Sequence, residues 1–190
     1  MSECELDIAL RVARGALPSP TAWENSAYVN LRISGTGVAY RPSAGQNGEL
    51  VYRDPADWCS ALFLRRCIGL IVTVSHPYSG IMSSAFFAGH AVGVIVHTWV
   101  DQKEDAPWGT ARIVDANCAQ LIADGVFDTS PGVLTNANEC SETEVDGLRL
   151  VCEGPCRLLD HLALVDTRDG NKGVWTRSGD APGAQADSEK

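Results

Sequence analysis

The sequence predicts an α+β fold that is mainly β: a small closed or strongly curved β-barrel with helices at its periphery. Three observations lead there. Seven or eight short apolar segments, alternating or rich in β-branched residues, are spread along the chain. Only two or three stretches carry helix signals. The regular strand–helix alternation of a doubly wound sheet is missing. Residues 1–177 read as one domain, and 178–190, dominated by Gly, Ala, Asp and Pro, as a flexible acidic tail.

Taken in order, Leu6, Ile8, Leu10 and Val12 alternate with smaller or polar residues and predict a half-buried strand. Pro18 and Pro20 mark the loop that follows. Val29, Leu31 and Ile33 predict a second strand, broken at Ser34-Gly35-Thr36-Gly37 and resumed over 38–41 before a loop at 42–48. Asp54 followed by Pro55 predicts a helix start, with the helix running through Trp58, Leu62 and Leu64 towards Arg66. Residues 68–74 read as a buried strand ended by Ser75-His76-Pro77, because proline cannot donate to a ladder.

Residues 78–89 are small and polar and read as a loop, 91–100 as a strand, 101–109 as a charged turn and 110–114 as another strand. Asp115 predicts the cap of a helix through Ala123, closed by Asp124-Gly125. A Val-Phe-Asp run then leads to Ser130, which Thr-Ser-Pro-Gly predicts to lie in a turn. Segments 147–153 and 158–166 complete the strands.

Composition excludes several classes of function. A net charge of −9 without a sustained basic stripe argues against nucleic-acid binding. No apolar run reaches the roughly 18 residues of a membrane span, and acids near the start of the chain replace the basic residues of an export signal. The odd set of cysteines at 4, 59, 67, 118, 140, 152 and 156 then reads as reduced thiols in a cytoplasmic compartment. Cys152, Cys156 and His161 would be the candidates for a metal hydrolase, but their spacing matches no zinc module, so no metal or other cofactor is implied.

The residues able to carry chemistry are His76 at a strand end, Ser130 on a constrained backbone, and His161 within Leu-Leu-Asp-His-Leu-Ala-Leu-Val. A hydroxyl nucleophile needs a base in hydrogen-bond reach, and the base needs a third group to fix its tautomer. A second histidine can fill that role, less strongly than a carboxylate. His90 and His97 have no such context, and Trp99, Trp108 and Trp175 read as packing residues.

The strand ending in His76-Pro77, the Ser130-Pro131-Gly132 after a helix, and above all Asp160-His161-Leu162-Ala163-Leu164-Val165 resemble tailed-phage prohead (capsid maturation) proteases. Leu31-Arg32-Ile33-Ser34-Gly35-Thr36-Gly37-Val38 is similar to the opening strand and turn of that group, so the resemblance spans roughly residues 29–170. These proteases are related in fold to the herpesvirus assemblins, which are β-barrels with surrounding helices. The resemblance implies a serine endopeptidase with Ser130 as nucleophile, His76 as general base, His161 as third member and Arg168 as oxyanion support. It implies capsid and scaffold precursors as partners, cleavage of the chain itself, dimeric self-association, and action inside the assembling procapsid in the host bacterial cytoplasm.

Two positions depart from the group. Val133 stands where a tyrosine follows Ser-x-Gly, and Asp160 where asparagine is common. Neighbours on a strand point to opposite faces, so Asp160 and His161 are not expected to face the site together, and an inward Asp160 would make the triad Ser-His-Asp. Val133 supports an alternative reading, a catalytically inactive head-assembly or scaffold-associated protein of the same fold.

Overall fold

In the computed structural model, which describes residues 4–41, 48–145 and 147–169, the chain opens with a helix, α1 (Glu5–Ala13). The strand expected here is absent because the side chains that bury are Ile8, Ala9 and Val12, a helical spacing, while Leu6 stays 53% exposed. Glu, Leu, Ala and Arg favour a helix locally. That face packs on Tyr28, with Leu17, Trp23 and Val96 around it.

Strands β1 (Thr21–Trp23) and β2 (Ser26–Arg32) form a hairpin. Gly37, at φ 77°, then turns the chain away into β3 (Gly37–Arg41), which pairs with β4 (Glu49–Arg53). The single helix expected from Asp54 is two. In α2 (Pro55–Trp58) Asp54 Oδ1 accepts from the Ala56 N–H, and in α3 (Ala61–Cys67) Ser60 Oγ accepts from Phe63, so a second cap restarts the helix. After β5 (Ile71–Val74), the expected polar loop contains α4 (Ser84–His90), capped by Ser83.

β6 (Ala91–Asp101) and β7 (Ala106–Ile113) follow, then α5 (Ala116–Ala123), which Asp115 caps as expected. β8 (Phe127–Thr135), β9 (Ser141–Val145), β10 (Leu148–Glu153) and β11 (Cys156–Asp166) complete the described chain. The predicted 178–190 tail lies outside the described residues, as do 42–47 of the predicted loop.

The α+β, mainly β class holds, with eleven strands and five α-helices among the described residues, but no sheet closes into a barrel. A seven-stranded sheet runs β1-β2-β7-β6-β5-β11-β8, and a separate four-stranded sheet runs β3-β4-β10-β9. Closure would need the two end strands β1 and β8 to pair, yet β1 has three residues and β8 carries Pro131. The predicted strands 38–41 and 147–153, counted as barrel staves, instead join the smaller sheet through β4, a strand not predicted, which is antiparallel to β3 and parallel to β10.

Alternation along β2 sorts the large sheet into two layers: Tyr28 faces α1, while Val29, Leu31 and the following Ile33 enter the main core with Trp58, Phe63, Val72, Ile95, Leu162 and Leu164. No helix of the described chain is long and apolar enough to cross a membrane.

Candidate active site

Ser130 is not in a turn. It sits inside β8, opposite Ala163 of β11, with Pro131 opposite Leu162 and Gly132 opposite His161. Proline is tolerated because β8 is the end strand and has a ladder partner on one side only. The register puts Ser130 two residues from Gly132 and Ala163 two residues from His161, so the serine and His161 project from the same face of the sheet.

β5 runs parallel to β11 and delivers His76 from the other side. The strand's last ladder bond is Ser75 N–H to Leu164 O, 2.9 Å. Ser75 then adopts φ 63°, a left-handed conformation that a non-glycine residue holds only when its surroundings compel it. The Thr73 hydroxyl donates to Ser75 O at 3.0 Å and helps fix the turn. The chain leaves the strand direction there, and His76 closes on His161: Nδ1 of His76 lies 2.8 Å from Nε2 of His161, the rings meeting edge-on.

His161 is fully buried, and its Nδ1 lies 2.8 Å from Asp160 Oδ2. Sequence alternation had set these two side chains on opposite faces. The register shifts between Leu159 and His161, leaving Asp160 as the extra residue of a β-bulge. Its carboxylate turns back to the neighbouring imidazole and also accepts the Met82 N–H at 2.8 Å. Asp160 and His161 therefore act in series, His161 against His76 and Asp160 behind it.

An ionised carboxylate only accepts, so His161 carries its proton on Nδ1. With both rings neutral, His161 Nε2 accepts from His76 Nδ1–H, and His76 Nε2 remains the acceptor of the line. Burial, and then the neighbouring His161, pull the His76 pKa down to about 4, so this ring is neutral at pH 7.

Gly132 was missed by sequence reasoning as anything but turn chemistry. A Cβ built on it would lie 2.2 Å from His161 Cε1 and 2.5 Å from its Nδ1, so the ring occupies the space a side chain would need. Only Ser-x-Gly in register with the histidine could have signalled this, and register is invisible in sequence.

Ser130 and His76 line one cleft of about 330 Å³ together with Gly80, Pro131 and Val133. Ser130 Oγ is not hydrogen-bonded to His76 in this structure; catalytic hydrogen bonds are often long before substrate binds. The opposite wall is Arg41, Arg53 and Glu153 from the four-stranded sheet. Sequence reading did not single out these three, because they converge from three strands.

Arg53 Nε donates to Glu153 Oε2 at 2.6 Å and its Nη1 to Ser34 Oγ at 2.6 Å, and the guanidinium lies 4.0 Å over the Trp58 ring. Arg41 bridges Glu153 and Glu49. Burial alone would raise the Glu153 pKa, but the charges of Arg53 and Arg41 and their hydrogen bonds reverse it, so the carboxyl is held below its usual range. Burial pushes the Arg53 pKa down, with Glu153 opposing.

Arg168 is not among the residues lining the cleft; it lies in an exposed turn with its guanidinium on Asp166. His90 stacks on Phe86, its Nδ1 3.0 Å from that residue's carbonyl, and His97 stacks on Trp99, which stacks on Trp108. Trp175 lies outside the described residues. Among the described residues no three or more His, Cys, Asp or Glu are grouped to hold a metal, and His161 is engaged by Asp160 and His76 instead of Cys152 or Cys156. The seven cysteines are free, and burial raises the Cys67 thiol to about 12.

Comparisons with protein-family models, with curated proteins and with solved structures return no match for this chain.

Proposed function

We propose that this chain is a serine endopeptidase in which Ser130 is the nucleophile, His76 the general base, and His161 backed by Asp160 the group that orients and supports the base. One observation carries the reading: an unbroken hydrogen-bonded line, Asp160 to His161 to His76, ends in the cleft that Ser130 lines. His76 Nε2 takes the Ser130 proton as Oγ attacks the peptide carbonyl. The imidazolium that forms donates through Nδ1 to His161, whose own Nδ1–H rests on the Asp160 carboxylate. The imidazolium gives the Ser130 proton from Nε2 to the leaving amine as the C–N bond breaks, and the acyl-enzyme that remains is hydrolysed by water with His76, neutral again, as base. Support for the developing oxyanion comes in this reading from Arg41, a cation lining the cleft, in place of Arg168.

The motif resemblance to prohead proteases sets the substrates: scaffold and capsid precursor segments, and the chain itself, cut inside the assembling procapsid in the host cytoplasm. A fluorophosphonate probe labels wild-type Ser130, and Ser130→Ala folds equally well but is neither labelled nor able to process precursor. Processing by Ser130→Ala at the wild-type rate excludes this mechanism. A second reading, an inactive head-assembly protein, draws on Val133 and on the open Ser130–His76 pair, and an unlabelled Ser130 in the folded wild-type chain favours it.

A further inference from the structure

The strand that carries Ser130 has an outer edge, and the ladder shows which backbone groups point off it. On the β5 side of β11, Leu164 O accepts from the Ser75 N–H, and at the start of β8 Val126 O accepts from the Thr167 N–H, 2.9 Å in each case. Antiparallel partners alternate between bonded and non-bonded pairs, so Thr129–Leu164 and Phe127–Asp166 are non-bonded pairs. The N–H and C=O of Phe127 and Thr129 therefore point away from β11. No strand lies beyond that edge among the described residues.

A cavity of about 260 Å³ lies there instead, between β8 and β2, at the seam where the large sheet fails to close. β1 pairs only with residues 26–28 of β2, and beyond it the Asn30 N–H is taken by Ser19 Oγ at 2.8 Å. Leu31, Trp108, Ile122 and Phe127 give the cavity apolar walls. β8 runs from this cavity into the Ser130 cleft: Phe127, Asp128 and Thr129 line the first, and Ser130, Pro131 and Val133 line the second. Phe127 and Ser130 are about 10 Å apart along the strand.

We propose that the seam is a substrate subsite, a deepening that rests on the Ser130 reading. The substrate lies along the outer edge of β8 as an added strand, and a large apolar side chain about three residues from the cut bond fills the cavity. Backbone pairing on an open edge supplies affinity and a pocket beside it supplies selectivity. A cavity of about 150 Å³ with apolar walls already holds a benzene ring, so this one takes a leucine or phenylalanine side chain. Pro131 is the next residue whose backbone faces outward, and it has no N–H to give. Pairing therefore stops beside the serine, and the bound chain leaves the edge where its carbonyl is to be attacked.

Ten-residue peptides randomised at every position, selected on the full-length Ser130→Ala chain and then given to wild type, test this. The selected peptides carry a large apolar residue at one fixed position, and wild type cuts them about three residues from it. Asp at that position weakens binding about 10- to 100-fold. N-methylation along the peptide weakens binding at alternate residues only, by about 2- to 10-fold each. Thr129→Pro deletes one outward N–H and none that faces β11, and it weakens binding by a similar factor; should that chain not fold, the N-methyl series decides alone. No fixed apolar position, N-methyl effects without the period of two, or full affinity in folded Thr129→Pro overturns the proposal. Fluorophosphonate labelling of wild-type Ser130 needs no peptide, so the two readings fail separately. Peptides that bind with both signatures to a chain that is neither labelled nor able to cut them overturn the Ser130 reading and leave the seam as a peptide site. Selection that succeeds only once residues 170–190 are removed makes the chain's own C-terminal segment the occupant and overturns the proposal.

Discussion

Gly132→Ala tests the site at its narrowest point. The added Cβ would sit 2.2 Å from His161 Cε1, 2.5 Å from Nδ1 and 2.7 Å from Nε2, against an ordinary carbon contact of about 3.5 Å. The ring would have to retreat by more than about 1 Å to reach that contact. It has no slack, because it is fully buried and held at both nitrogens by 2.8 Å hydrogen bonds, to Asp160 and to His76. A retreat of that size stretches at least one of them beyond hydrogen-bonding range. Overpacking of this kind costs about 1–3 kcal/mol, and a hydrogen bond to a charged group contributes about 1.5–3 kcal/mol. Gly132→Ala is therefore expected to lose about 2–3 kcal/mol in urea denaturation. Peptide hydrolysis should fall about 100-fold, the usual consequence of a 1 Å misplacement. The imidazole signals of His161 and His76 should both move in the proton NMR spectrum. Wild-type stability with both signals unshifted would refute the geometry, whatever is found for peptide hydrolysis.

His76 should titrate near pH 4 in the folded chain rather than near 6.5, followed by its ring proton signals. The unfolded chain then binds this proton at higher pH than the folded one, so the stability from the neutral ring is complete above about pH 6.5 and lost as pH falls towards 4. The acid limb of kcat/KM should follow the same low value, and a midpoint of 6 to 7 by NMR would refute it. Asp160→Asn removes the charge behind His161 and is expected to lower kcat by about 10²–10⁴-fold with little change in KM; an unchanged kcat would take Asp160 out of the line. Glu153→Gln removes the carboxylate that pairs with the buried Arg53 and should cost about 3 kcal/mol in urea denaturation. Arg168→Ala, in contrast, should change hydrolysis by less than about twofold, since an exposed pair such as Arg168–Asp166 contributes little.

What sequence alone determined is local. Asp54 and Asp115 cap helices because their side-chain oxygens reach N–H groups two or three residues on. The period of two at Val29, Leu31 and Ile33 marks the residues that enter the main core, and the strand that ends at His76-Pro77 is where the β-branched run stops. The mainly β class was legible from the same short-range chemistry, whereas His76, Ser130, His161 and Asp160 were singled out together through the resemblance to prohead proteases. At residues 6–12 even local reading failed, because an alternating pattern and a helical stripe share Ile8 and Val12, and packing on Tyr28 decided between them.

Only the tertiary structure decided which strands pair. Register is a relation between distant segments, and no property of 127–135 alone states that Ser130 faces Ala163 or that Gly132 must make room for an imidazole. The bulge at Asp160 depends on β11 fitting β8, and it converts two expected alternatives into one relay. The split into two sheets, with Arg41, Arg53 and Glu153 facing the serine and Arg168 left outside, arises because β4 finds β10 a hundred residues on. The energy of that choice lies in contacts between segments that share no local signal.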